Sequence, residues 1–279
     1  MNRRSRTWPA GLAAACAALT LLLAGCATPP GGVSGSTTPR LGGPASDWQS
    51  NAADPAVRQR AETHLALATG YLQRGESRVA LSEAKEAQDA DPRFAAAFNV
   101  AGMAYAALGD RDQAEAEYQH AITLNPRDGN IYHNLGWLQC QRADYADAET
   151  QFQHALQFPN ADRARTLMAQ GVCQARAGKK AEAEATLMQA YDLDAANPIV
   201  AYNLALLLYQ RGDYERARFY IRRLNNSELA NAQSLWLGIR VEHRMDDQRA
   251  MDQLANQLRR RFAGSKELTA YDKGDFDDQ

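Results

Sequence analysis

The sequence predicts an all-α solenoid, about six helix–turn–helix units stacked one on the next behind an irregular N-terminal stretch. Two observations carry this expectation: the chain repeats itself every 34 residues or so from Ala61 onward, and its composition is dominated by good helix formers. Ala, Glu, Gln, Arg and Leu lose little rotamer freedom in a helix, and many of the 10 prolines fall outside the periodic part. No segment has the alternating pattern of a strand.

The N-terminal elements come first. Arg3, Arg4 and Arg6 make a positive flank, and Gly11 to Ala24 is an apolar run of 14 residues, short for crossing a bilayer. It ends at Leu23-Ala24-Gly25-Cys26, which resembles a bacterial lipobox, in which a cysteine after small residues takes a diacylglyceryl group. The resemblance implies a signal peptide over 1–25, a covalent lipid such as palmitate on Cys26, and no other cofactor. Ala27, where an inner-membrane retention signal would have Asp, implies the outer membrane, with the body facing the periplasm. Losing the three arginines with the leader would take the net charge from −2 to −5. Such a balance gives no basic excess for nucleic acid. Residues 26–56 are rich in Gly, Pro, Ser and Thr and cannot bury enough apolar surface to offset their ordering entropy. They read as a flexible linker spanning roughly 30 Å.

The repeat then runs over 57–263, with units near 61–94, 95–128, 129–163, 164–197, 198–230 and 231–263. Ala68, Gly102, Gly136, Gly171 and Ala205 recur at spacings of 34, 34, 35 and 34. Small residues there let two helix backbones approach closely. Gly75, Gly109, Gly178 and Gly212 stand where a first helix would end in the left-handed conformation. Ala80, Ala114, Ala148, Ala183 and Ala217 come next, then Tyr118, Phe152, Leu187 and Ile221 as space-filling residues. Asp91-Pro92 and Asn125-Pro126 stop second helices. No unit can bury its apolar face alone, so neighbours must stack. Leu237-Gly238 with Ala250, Leu254 and Leu258 mark a degenerate sixth unit, and 264–279 reads as a short capping helix and an acidic tail. This 34-residue pattern resembles the tetratricopeptide repeat (TPR), which implies a right-handed superhelix.

With Cys16 in the leader and Cys26 acylated, Cys140 and Cys173 remain, on the first helices of the third and fourth units. Those helices lie side by side in a TPR stack, so a disulfide between the two units is expected; two buried free thiols are the alternative. His120 and His154 sit one repeat apart on second helices, with too few further ligands for a metal site. No nucleophile elbow, HExxH pair or phosphate-binding glycine loop occurs, so neither catalysis nor a small-molecule substrate is expected.

In a TPR stack the concave wall comes from the first helix of each unit. The corresponding positions here are Asn99, Met103, His133, Asn134, Trp137, Arg165, Met168, Val172, Tyr202, Asn203, Leu206 and Tyr209. That lining suits an extended peptide or an amphipathic helix. Side-chain packing between adjacent first helices would account for some of the same residues. The Lys/Arg/Asn set of a carboxylate clamp is missing, which disfavours a C-terminal acidic peptide. Arg222, Arg223 and Arg259 to Arg261 lie late in second helices, where cations complement the helix dipole.

Several wordings are narrower than a generic repeat: Asn134-Leu135-Gly136-Trp137-Leu138-Gln139-Cys140, Gly171-Val172-Cys173, Ser234 to Arg240 and Leu258 to Phe262. Together with the lipobox and linker they resemble the type IV pilus biogenesis lipoproteins of the PilF/PilW pilotin family. The resemblance implies a scaffold that helps the pilus secretin reach the outer membrane and multimerise, or that stabilises pili. The implied partners are a secretin subunit or other type IV pilus proteins, with the outer membrane held through the lipid. A general periplasmic adaptor for peptidoglycan hydrolases, or a subunit of an outer-membrane protein assembly complex, is the other expectation.

Overall fold

The computed structural model describes residues 54–276. The 1–25 leader, Cys26, all but the end of the 26–56 linker, and the last three residues of the acidic tail lie outside the described residues.

Within them the chain forms thirteen helices and no strand. Six antiparallel pairs follow one another: α1 (Pro55–Gln73) with α2 (Ser77–Ala90), α3 (Ala95–Leu108) with α4 (Arg111–Leu124), and α5 (Gly129–Gln141) with α6 (Tyr145–Leu156). Then come α7 (Arg163–Arg176) with α8 (Lys180–Leu193), α9 (Pro198–Arg211) with α10 (Tyr214–Asn225), and α11 (Ala232–Arg244) with α12 (Gln248–Arg261). A short α13 (Lys266–Lys273) packs on α11 and α12. None of the described helices is long and apolar enough to cross a membrane.

The helix starts follow from local chemistry. Asp110, Asp128, Asp162, Asn197, Asp213, Asn231, Asp247 and Ser265 each accept a first-turn backbone N–H. Asp54 does the same for α1, with Pro55 in the first helical position, and so starts that helix before the expected boundaries at 57 and 61. Pro198 opens α9 behind the Asn197 cap, at the expected start of the fifth unit.

The turn within each pair is left-handed. Gly75, Gly109, Gly178 and Gly212 have φ between 76° and 85°. The same phase in the third and sixth units is held by Ala143 (φ 67°) and Asp246 (φ 57°).

Close approach within a pair occurs where the small residues predicted it. A Cβ at Gly102 would meet the Tyr118 ring at 2.6 Å, and one at Gly171 would meet Leu187 at 2.6 Å. Tyr118, Phe152, Leu187 and Ile221 are in turn nearly or wholly buried.

Odd-numbered helices touch each other along the row α1–α3–α5–α7–α9–α11, whereas even-numbered helices touch only the odd ones on either side. The odd helices are therefore the tightly spaced inner layer and the even ones the splayed outer layer. The concave wall is made by α3, α5, α7, α9 and α11.

A concave trough as the candidate binding site

The trough is built on a polar ladder across three inner helices. Asn134 on α5 donates through Nδ2 to Asn99 Oδ1 on α3 at 2.9 Å. Arg165 on α7 donates through Nη2 to Asn134 Oδ1 at 3.2 Å. This holds an exposed guanidinium against the wall. Beside it His133 is 4% exposed, its Nδ1 lying 3.1 Å from Thr166 Oγ1. Burial, then the nearby charge of Arg165, pulls the imidazole pKa down to about 4, so it is neutral at neutral pH.

Next along the wall Trp137 is half-buried, with the Arg176 guanidinium 5.3 Å from its ring centroid. Trp137, Met168, Val172, Asn203, Leu206 and the two polar residues His133 and Arg165 line a pocket of about 600 Å³ between α5, α7 and α9. A smaller hollow of about 250 Å³ adjoins it, bounded by Met103, Asn134, Trp137 and Arg165. A third, of about 450 Å³, lies between α9, α11 and α13 and takes in Tyr202 and Leu206. Leu206 is common to the first and third, so the hollows run on along one wall.

The structure thus brings ten of the twelve sequence-predicted residues into these hollows and places two elsewhere. Asn99 serves as the far end of the polar ladder. Tyr209 corrects the expectation: it is 3% exposed, in ring contact with Tyr214 at 5.5 Å and beneath Arg240 at 4.6 Å. Its position in α9 turns it toward α10 and α11, so it is core. Sequence reasoning missed Arg176, Lys180, Ile199 and Gln210, which lie at helix ends outside the positions considered. It also missed Trp236, Arg240, Lys266 and Lys273, contributed by the last unit and the capping helix. Trp236 stands two residues before Gly238, a register that would have placed it on the inner face.

Under Trp137 the structure joins Cys140 and Cys173 as a disulfide, with Cα atoms 5.8 Å apart, tying α5 to α7. The histidines on second helices are used in packing: His120 lies 4.3 Å from the Phe98 ring, and His154 stacks on Tyr132 at 5.5 Å. Among the described residues no three His, Cys, Asp or Glu converge as metal ligands. Four of the five late arginines have local partners. Arg222 binds Glu242, Arg223 donates to the Tyr191 hydroxyl, Arg259 pairs with Asp272, and Arg261 donates to the carbonyls of Glu228 and Ala230.

Models of the tetratricopeptide repeat match residues 95–128, 117–150 and 176–225. With six helix pairs in that period, the fold is settled. The chain is a TPR solenoid. Its architecture is similar to PilF of Pseudomonas aeruginosa, at 26% identity and a TM-score of 0.71 over 78% of this chain and 99% of that one. It is similar also to PilW, a widely conserved type IV pilus biogenesis factor, at 25% identity and a TM-score of 0.69, covering 76% of this chain and 98% of that one. Cut9 in its APC/C assembly with Hcn1 shares the TPR fold at 18% identity and a TM-score of 0.66, over 77% of this chain and 42% of that one. No curated protein matches in sequence.

Proposed function

We propose that this TPR solenoid is an outer-membrane lipoprotein scaffold of type IV pilus biogenesis. Its trough holds a segment of a secretin subunit while the secretin reaches the membrane and multimerises, or while pili are stabilised. The observation that carries the reading is the likeness to PilF and PilW over nearly their whole lengths. The trough supports it: an apolar pocket walled by Trp137, Met168 and Leu206 between rigid helices is suited to anchoring side chains of a peptide or helix. A lipid on Cys26 would hold the solenoid at the membrane behind its linker. Many copies confined to one surface would then raise the effective concentration of bound subunits. The role is binding, with no chemical step.

The test is the state of the secretin in a strain lacking the protein, read as heat- and detergent-resistant multimer against monomer in outer-membrane fractions. Multimer should fall and return with the wild-type chain, but return only weakly with Cys26→Ala. Normal multimer together with normal surface pili would end this reading.

A further inference from the structure

The pocket between α5, α7 and α9 is charged on one side of the balance only. Arg165, Arg176 and Lys180 stand exposed around it, and no Asp or Glu is among its lining residues. This occurs in a chain whose overall charge is −2, so the three cations are a local arrangement rather than a general bias. The walls between them are apolar, and Ile199 at the edge is 49% exposed. Arg165 is held in place by Asn134 and Arg176 by the face of Trp137. Cations held in advance lose less entropy when they meet a partner.

The chain supplies an instance of the complementary chemistry on the same wall. Phe276, preceded by Asp275, lies 5.8 Å from Trp236 and 4.3 Å from His243, in ring contact with both. Asp275 borders the hollow that also contains Arg240, Lys266 and Lys273.

We propose that the α5–α7–α9 pocket selects an acidic amphipathic segment of its protein partner. A large apolar side chain enters between Trp137 and Met168, and flanking Asp or Glu carboxylates meet Arg165, Arg176 and Lys180. The proposal rests on the scaffold reading above and specifies the chemistry of what the trough holds. The concavity of the site favours a projecting side chain over a flat lipid surface. The carboxylates are those of side chains inside the segment, so no free C-terminus is required.

The probe is a fluorescent amphipathic peptide about five helical turns long, with Leu and Phe on one face, Glu beside them, and both ends blocked. It is titrated by anisotropy against the full lipidated chain in mild detergent. Replacing Glu by Gln in the peptide should weaken binding about ten-fold, as should the Arg165→Gln, Arg176→Gln, Lys180→Gln variant, and added salt should weaken the native pair. A thermal melt shows that the variant is folded, and Met168→Glu should abolish binding independently. Equal binding of the Gln or a Lys peptide, or an unchanged triple variant, overturns the proposal. So does the finding that the three cations govern attachment to phosphatidylglycerol vesicles and leave the peptide unaffected. The readouts separate this inference from the pilus reading. Loss of charge preference while secretin multimers still depend on the protein sinks the inference alone. A retained preference with multimers and surface pili both indifferent to the deletion supports it and sinks the pilus reading.

Discussion

Ala143 and Asp246 occupy turns that four other units give to glycine, with φ of 67° and 57°. A Cβ in the left-handed region crowds the following carbonyl, which costs roughly 1–2 kcal/mol for an ordinary L-residue. Ala143→Gly should therefore raise the unfolding free energy by about 0.5–1 kcal/mol, the strain relief being partly offset by the greater entropy of glycine in the unfolded chain. Urea titration checks this, and a loss of stability would show that the turn is not strained. His133 makes a second prediction. Its pKa is about 4 in the folded chain against an ordinary 6.5. Below pH 6.5 the unfolded chain takes up a proton that the folded one refuses, so stability is lost as pH falls toward 4. Between pH 7.5 and 4.5 the wild type should lose about 2–3 kcal/mol more than His133→Asn. Parallel pH profiles would contradict this. The glycine turns were legible in the sequence because the left-handed need recurs at a fixed phase. Ala143 was not, since alanine gives no signal of a positive φ, and Asp246 gives only the weak signal of a residue type that tolerates it.

Elements are joined by two devices beyond the stacking of apolar faces. The disulfide between α5 and α7 closes a loop with a sequence separation of 33 residues. Chain entropy puts its contribution at about 3–4 kcal/mol. Once unfolded in urea without reductant, the chain should label at neither Cys140 nor Cys173 with a maleimide, and reductant or Cys173→Ala should lower the melting temperature. Label entering both residues without reductant would restore the free-thiol alternative. Further along, the Glu242 carboxylate on α11, 1% exposed, accepts from Arg218 Nε at 3.2 Å and Arg222 Nε at 2.8 Å on α10. Glu242→Gln removes the buried anion shared by the two guanidinium groups, leaving Asp247 as their remaining carboxylate partner, and should cost about 1.5–3 kcal/mol in urea titration. A smaller change would mean that solvent around the half-exposed Arg222 already satisfies it. This network was not legible in the sequence. The period fixes which helices are neighbours, but not which of many charged residues on facing surfaces will meet.

The whole molecule is a row of like parts, and that explains what sequence could and could not say about it. Each unit contacts only its neighbours, so the 34-residue period prescribes the pairing of helices, their inner and outer layers and the position of the concave wall. Ten of the twelve candidate wall residues line hollows because the period carries their orientation with it. Tyr209 fails because it stands on the face of α9 that α10 and α11 cover, whereas Gln210 beside it faces the trough. Arg176 and Lys180 escaped because they bracket the turn between α7 and α8, off the periodic inner positions. The charge character of the trough therefore emerged only from the assembled stack.

The most direct measurement is site-specific photocrosslinking in cells carrying the pilus machinery, with a photoreactive residue at Met168 in the trough or at Phe219. Phe219 lies on the outer-layer helix α10 and is 60% exposed, which makes it the control. Met168 should give an adduct with the secretin subunit and Phe219 none, and the Met168 adduct should be lost on Arg165→Gln, Arg176→Gln, Lys180→Gln substitution. Adducts from Phe219 alone, or no secretin adduct from Met168, would contradict this.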